Sequence, residues 1–174
     1  MPRVPYVEAD ASPEVHDIYE KTLRGKPANF HKLLAHRPEM LKTLIPFYTS
    51  VGRTLERRLY EIVYVRVSMI NGCHYCTQHH LAGSKRVGVT PEEWQALKNG
   101  DYSRFAPQEQ VALKFADKLT RQPHDVNDAD FAELKKHFSD EKIVDLDTLV
   151  ALVNLTNRMT DALGAEVEFP EEKI

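Results

Sequence analysis

The chain has 174 residues, 42% of them apolar and 28% charged, with a formal net charge of −3. Its length is most simply one domain, 1–174, able to bury about 70% of the surface of its unfolded chain without disulfide staples. The mild acidity speaks against a nucleic-acid partner, whose binders present a basic face. No apolar run approaches the roughly 20 residues that span a bilayer.

Residues 1–11 read as an extended N-terminal arm. Ser12-Pro13 is an N-cap followed by proline at the first helical position, where a missing N–H costs nothing. Val15, Ile18, Tyr19 and Leu23 continue a short helix that Gly25-Lys26-Pro27 ends. Phe30, Leu33 and Leu34 hold helical spacing up to the break at His36-Arg37-Pro38. Met40, Leu41, Leu44, Phe47 and Tyr48 extend the apolar pattern towards residue 50, with a bend allowed at Pro46. Leu55 to Ile70 is the most apolar helix, and apolar character on all sides predicts its burial in a bundle. Glu56-Arg57-Arg58 reads as its solvated start.

Asn71-Gly72 is a stop signal, since glycine takes the left-handed conformation that ends helices. A further helix is predicted from Cys73 to Arg86. Thr90-Pro91-Glu92-Glu93 combines N-cap, first-turn proline and capping-box glutamate. Helices also follow from Pro107, from Asn127 and from Ser139 or Asp140, the last being the longest and closed by Gly164. Glu166 to Ile174 reads as an acidic tail. No segment shows strand alternation, so the predicted fold is all-α.

The chemistry gathers in Gly72-Cys73-His74-Tyr75-Cys76-Thr77-Gln78-His79-His80, which holds both cysteines and three of the eight histidines. Met1-Pro2-Arg3-Val4-Pro5 has no apolar core or cleavage site of a signal peptide. The expected compartment is therefore the cytoplasm, where thiols stay reduced unless catalytic or metal-bound. On a helix, steps of three and seven residues turn the chain by about 300° and 700°. Cys73, Cys76 and His80 therefore share one face, while His74 and His79 point roughly 100° or more away. Glu61 lies twelve residues before Cys73. If the second helix folds back at Asn71-Gly72, Glu61 comes level with His80, as a partly desolvated acid suited to proton transfer.

A thiolate forms more readily near a helix N-terminus or an imidazole. Attack on a peroxide gives a sulfenic acid, which a second thiol condenses to a disulfide. Helix-end electrostatics favour Cys73 as the attacking sulfur, whereas the i+4 imidazole favours Cys76. The assignment made here is Cys76 as nucleophile and Cys73 as resolving thiol, with Glu61 and His80 as proton relay.

The spacing Glu61, eleven residues, Cys73, two, Cys76, three, His80 resembles that of AhpD-like alkylhydroperoxidases in the carboxymuconolactone decarboxylase superfamily. The likeness extends over about residues 28–165. It includes Phe30-His31-Lys32-Leu33-Leu34-Ala35-His36-Arg37-Pro38 and Asn154 to Gly164, which look like the superfamily's peroxidase-related members. The resemblance implies an AhpD-like helical bundle with a Cys-x-x-Cys helical hairpin. It also implies a hydroperoxide substrate, a dithiol reductant, no cofactor, and a homo-oligomer, trimeric or hexameric. Glu61 and His80 would then deprotonate Cys76, in agreement with the assignment above. Tyr75 departs from the pattern, since some members have histidine there. The decarboxylase branch lacks the cysteine pair, which argues against lactone decarboxylation.

Two other readings compete. Cys73, Cys76 and His80 are acceptable zinc ligands, with Glu61 or water as fourth, although structural zinc sites usually bring a second Cys/His pair. A protein disulfide reductase or adaptor would use the same dithiol on a partner protein. Thr77 after Cys76 excludes c-type haem attachment. His74 and His79 read as surface or supporting residues, and His16, His31, His36, His124 and His137 follow no pattern. Tyr64, Tyr75, Phe47 and Trp94 fit either a core or the lining of a peroxide pocket.

Overall fold

The computed structural model describes residues 1–171, and all regular structure among them is helical. Proline opens α1 (Pro13–Asp17), α3 (Pro38–Thr54), α6 (Pro91–Asn99) and α7 (Pro107–Arg121), as its fixed φ and missing N–H favour. The short α2 (Asn29–Leu34) is closed at its start by the His31 ring, whose Nδ1 accepts from Ala28 N–H at 3.0 Å. α8 (Asp128–Leu134) and α9 (Asp140–Leu163) begin at Asn127 and Ser139, whose side chains accept from first-turn N–H groups.

Two boundaries differ from expectation. The first helix is five residues of α-helix continued by a π-type turn, Ile18–Thr22. The central helix α4 starts at Arg57, because Leu55 is extended and turns the chain out of α3, which runs on through Pro46.

α4 (Arg57–Ile70) is the axis of the bundle, packed against α5 (His74–Arg86), α7 and α9. Every residue from Leu59 to Ser68 is buried. Each large apolar side chain among them contributes about 1.5–3 kcal/mol on burial. The polar residues of this run are paired. Arg66 grips both oxygens of Asp117 on α7 at 2.7 and 2.6 Å and donates to the Leu97 carbonyl at 2.7 Å. Ser68 Oγ accepts from Asn157 of α9 at 3.1 Å. The expected solvated start at Glu56-Arg57-Arg58 is half corrected: Arg58 is partly buried and joins Glu93 and Glu109 at 2.6 and 2.8 Å. Those two glutamates sit in first turns of α6 and α7, so one guanidinium ties three helix starts together.

Gly72, at φ +70°, makes the sharp reversal into α5. The N–H groups of Gly72 and Cys73 close onto the carbonyls of Met69 and Ser68, satisfying the end of α4. The two helices form an antiparallel hairpin, and α6 locks its outer end through Trp94 Nε1 donating to Ser84 Oγ at 3.0 Å.

The N-terminal arm runs beside the end of α9, with Arg3 donating to the carbonyls of Asp161 and Ala162. Past Gly164 the chain turns back over α5 and α2 through residue 171. The acidic tail is thus packed against the fold as far as described; its last residues, 172–174, lie outside the described part.

Candidate active site

Cys73 is the N-cap of α5 and Cys76 stands in its first turn. The backbone N–H of Cys76 donates to Cys73 Sγ at 3.3 Å. Thr160 of α9 places its hydroxyl 3.2 Å from Cys73 Sγ and 3.4 Å from Cys76 Sγ. Both thiols are free and buried.

The two sulfurs share one proton unequally. Hydrogen bonds from the Cys76 thiol, from Thr160 and from the Cys76 N–H hold Cys73 down at about 7. The Cys73 thiolate and burial push the Cys76 thiol upward. The first proton lost from the reduced pair is therefore that of Cys73, while the Cys76 thiol stays protonated. Chemistry at Cys76 requires that this proton be moved.

One turn beyond Cys76, His80 lies against α4. Its Nδ1 is 2.8 Å from Glu61 Oε2. The ring is stacked on Tyr64, with centroids 3.5 Å and planes 16° apart. Its Nε2 lies 3.4 Å from the Tyr48 hydroxyl. Burial lowers the His80 pKa more than Glu61 raises it, so the ring is neutral. With the carboxylate accepting from Nδ1–H, Nε2 carries the lone pair and is free to accept a proton.

Glu61 is wholly buried. Its second oxygen faces the Arg57 guanidinium one turn back on α4, an ion pair without hydrogen-bond alignment. The carboxylate reaches His80 because α5 has no side chain at Gly83. A Cβ there would stand 2.7 Å from the Glu61 carboxyl carbon, well inside van der Waals contact.

Cys76 and His80 open together on a cavity of about 310 Å³. Its wall comes from α2, α3, α4, α5 and α9, and includes Phe30, His31, Tyr48, Tyr64 and Tyr75. No lysine or arginine lines it. His31, drawn down to about 4 by burial, stays neutral. Since its Nδ1 accepts from Ala28, its proton is on Nε2.

Residues 38–118 match the carboxymuconolactone decarboxylase family. A crystal structure of a peroxidase-related protein with an alkylhydroperoxidase AhpD core, from Ralstonia eutropha JMP134, superposes with a TM-score of 0.83 at 27% identity. The match covers 96% of this chain and 92% of that one. The fold is AhpD-like over nearly the whole chain, and residues 38–118 carry the match to the carboxymuconolactone decarboxylase family. YdfG of Bacillus subtilis (strain 168) is 28% identical over 131 residues, 73% of this chain and 88% of that protein. The debrominase Bmp8, crystallised with 2,3,4-tribromopyrrole, is 18% identical and has the same fold, with a TM-score of 0.78 over 95% of this chain and 91% of its own.

Within this AhpD-like domain the hairpin brings Glu61 and His80 into contact and sets Cys73, Cys76 and His80 along one side of α5. Several neighbours escaped the sequence reading. Thr160 carried no signal, being one of several threonines on α9. Tyr48 looked like one more apolar position. His31 and His79, set aside earlier, both border the cavity. His79 is ring-packed on Tyr75 and pairs with Glu168 at 2.7 Å. Tyr64 and Tyr75 prove to be cavity wall, Trp94 is core, and Phe47 is half exposed. Among the described residues, no three His, Cys, Asp or Glu side chains converge as a metal site, so the donors weighed for zinc do not form a cage. No helix among these residues is long and apolar enough to cross a membrane.

Proposed function

We propose that the protein is a thiol-dependent peroxidase that reduces organic hydroperoxides through Cys76 and Cys73. The observation that carries this reading is that Cys76 and His80 open on one aromatic-walled cavity without lysine or arginine, while buried Glu61 holds the far side of the imidazole. The cavity is suited to an apolar hydroperoxide.

The Cys76 proton passes towards His80 Nε2, and Glu61 stabilises the imidazolium that results. The Cys76 thiolate attacks the terminal peroxide oxygen. The O–O bond breaks, its electron pair goes to the alkoxide, and that oxygen leaves as the alcohol with the proton from His80. Cys76 is then a sulfenic acid. The Cys73 thiolate attacks this sulfur, a disulfide forms, and hydroxide departs as water after taking up a proton. Each turnover moves two electrons from the cysteine pair to the peroxide, and a dithiol reductant restores them. Tyr48 and Thr160 hold the reacting groups in line: one touches the base, the other both sulfurs.

Reduced protein supplied with a dithiol should consume cumene hydroperoxide, and Cys76→Ser should abolish this. Undiminished consumption by Cys76→Ser would overturn the assignment. The depressed pKa of Cys73 also favours a second reading, thiol–disulfide exchange with a partner protein. Faster turnover of a protein disulfide than of any hydroperoxide would select that reading.

A further inference from the structure

The two sulfurs, though joined through Thr160, do not face the same space. Cys76 borders the aromatic cavity and Cys73 does not. Cys73 borders a second cavity, of about 360 Å³, which Cys76 does not line. Tyr75 and Thr160 border both and form the partition.

The second cavity lies between the start of α5 and the chain beyond α9. Its cover is Ala165, Glu166, Val167 and Glu171. This cover is fastened at its edges by polar contacts, with Ala165 and Val167 half-buried against the core beneath it. Glu166 accepts from Asn29 Nδ2 at 2.8 Å through its carbonyl. Glu168 takes the Tyr75 hydroxyl at 2.9 Å and the His79 ring at 2.7 Å, and Glu171 pairs with His74 at 3.0 Å. Segments held by exposed polar contacts open at low cost relative to core helices.

We propose that this second cavity is the entrance for the reductant, so that peroxide and reductant reach the cysteine pair from opposite sides of the Tyr75–Thr160 partition. The inference rests on the peroxidase reading of the same pair. After oxidation, one thiolate of a dithiol enters beneath the C-terminal segment and attacks Cys73 Sγ. The Cys73–Cys76 bond breaks and its electron pair leaves on Cys76, giving a mixed disulfide between reductant and Cys73. The second thiol of the reductant loses its proton and attacks its partner sulfur in that mixed disulfide. Cys73 departs as thiolate, and the reductant leaves as a disulfide. The hydrogen bonds that hold the Cys73 pKa down also make it a good leaving sulfur in this last step. Cys76, expelled first, emerges facing His80 and the peroxide cavity.

The test separates the two half-reactions. The disulfide is formed with diamide, without any peroxide, and its reduction by dithiothreitol is followed by quenched thiol labelling. Ala165→Phe narrows the second cavity and should slow this reduction about tenfold, since exchange rates depend on access. The same variant, reduced, should react with cumene hydroperoxide within about twofold of wild type. Leu44→Trp, placed in the first cavity, should do the reverse. A chain ending at Ala165 lacks most of the cover and should be reduced faster than wild type. Oxidised protein treated briefly with 2-mercaptoethanol and then quenched with acid should carry its adduct on Cys73. Unchanged reduction in Ala165→Phe, slowed reduction in Leu44→Trp, or an adduct on Cys76 would each overturn the proposal. Because diamide makes the disulfide, a protein inactive towards peroxide that still shows this pattern would refute only the peroxidase reading.

Discussion

The α4–α5 hairpin and the shell formed by α2, α3, α9 and the C-terminal segment both reach the sulfurs, but they bring different kinds of group. In the proposed reaction the hairpin supplies every group that changes charge or bonding: Glu61, His80, Cys73 and Cys76. Its geometry is set by helix pitch and one left-handed glycine, and its groups sit in fixed register. The shell supplies hydroxyls, a ring and a supporting carboxylate: Tyr48 from α3, Thr160 from α9, His31 from α2, Glu168 from the C-terminal segment. These come from residues far apart in sequence and meet only when the bundle closes. Reactivity is thus local in the chain, while access and fine positioning are global.

That division can be attacked experimentally. Glu61→Gln keeps the volume but removes the negative charge facing His80. It should lower kcat/KM for cumene hydroperoxide by about 100-fold, a typical contribution of positioned acid–base groups. Gly83→Ala should approach the same loss, because the new methyl displaces the Glu61 carboxylate. Adding Glu61→Asp, which withdraws the carboxylate by one methylene, should restore part of it. Rescue in the double variant distinguishes displacement of the carboxylate from a general packing defect.

The shell should respond more gently. Tyr48→Phe keeps the ring and deletes the hydroxyl near His80 Nε2, so kcat/KM should fall about tenfold or less. A loss as large as that of Glu61→Gln would move Tyr48 into the reacting set and erase the contrast. Between the sulfurs, Cys76→Ala removes the thiol hydrogen bond that most favours the Cys73 thiolate, leaving those of Thr160 and the backbone N–H. The Cys73 pKa, read from alkylation rate against pH, should rise from about 7 towards its ordinary value near 9.

The smallest effect is expected at Glu168. Burial raises its pKa, but His79 and the Asn29 N–H outweigh that and hold it at about 2, below the usual 4.5. A carboxylate depressed on folding stabilises the fold above its unfolded pKa, and that contribution disappears as pH falls through the folded value. Glu168→Gln should therefore lower Tm at neutral pH. The gap from wild type should close between about pH 4.5 and about pH 2. A gap that stayed constant across this range would show that the strap does not depend on the charge.

The same contrast explains what could be read from the sequence. Capping signals such as Ser12-Pro13 and Thr90-Pro91-Glu92-Glu93 are local, and the structure uses both. The Glu61–His80 contact was legible because Asn71-Gly72 fixes a hairpin and helix rise then fixes the register. Thr160 was not, since its role depends on how α9 crosses α5, which no local pattern encodes. Arg58 read as solvated because its partners Glu93 and Glu109 are 35 and 51 residues away. The tail read as merely acidic because its partners, Tyr75, His79 and Asn29, are over 85 residues distant.

The hydrogen bonds that converge on Cys73 Sγ have an energetic consequence for the whole cycle. Donors that stabilise a thiolate are of no use to a disulfide sulfur, so they favour the reduced pair over the oxidised one. In the proposed cycle these donors would raise the reduction potential of a Cys73–Cys76 disulfide and make it a comparatively strong oxidant. Replacing Thr160 by valine, which keeps the shape and removes one donor, should therefore make the pair harder to reduce. On the proposed reading, the hydroxyl that bridges the two sulfurs would set how readily an oxidation taken from a peroxide is passed on.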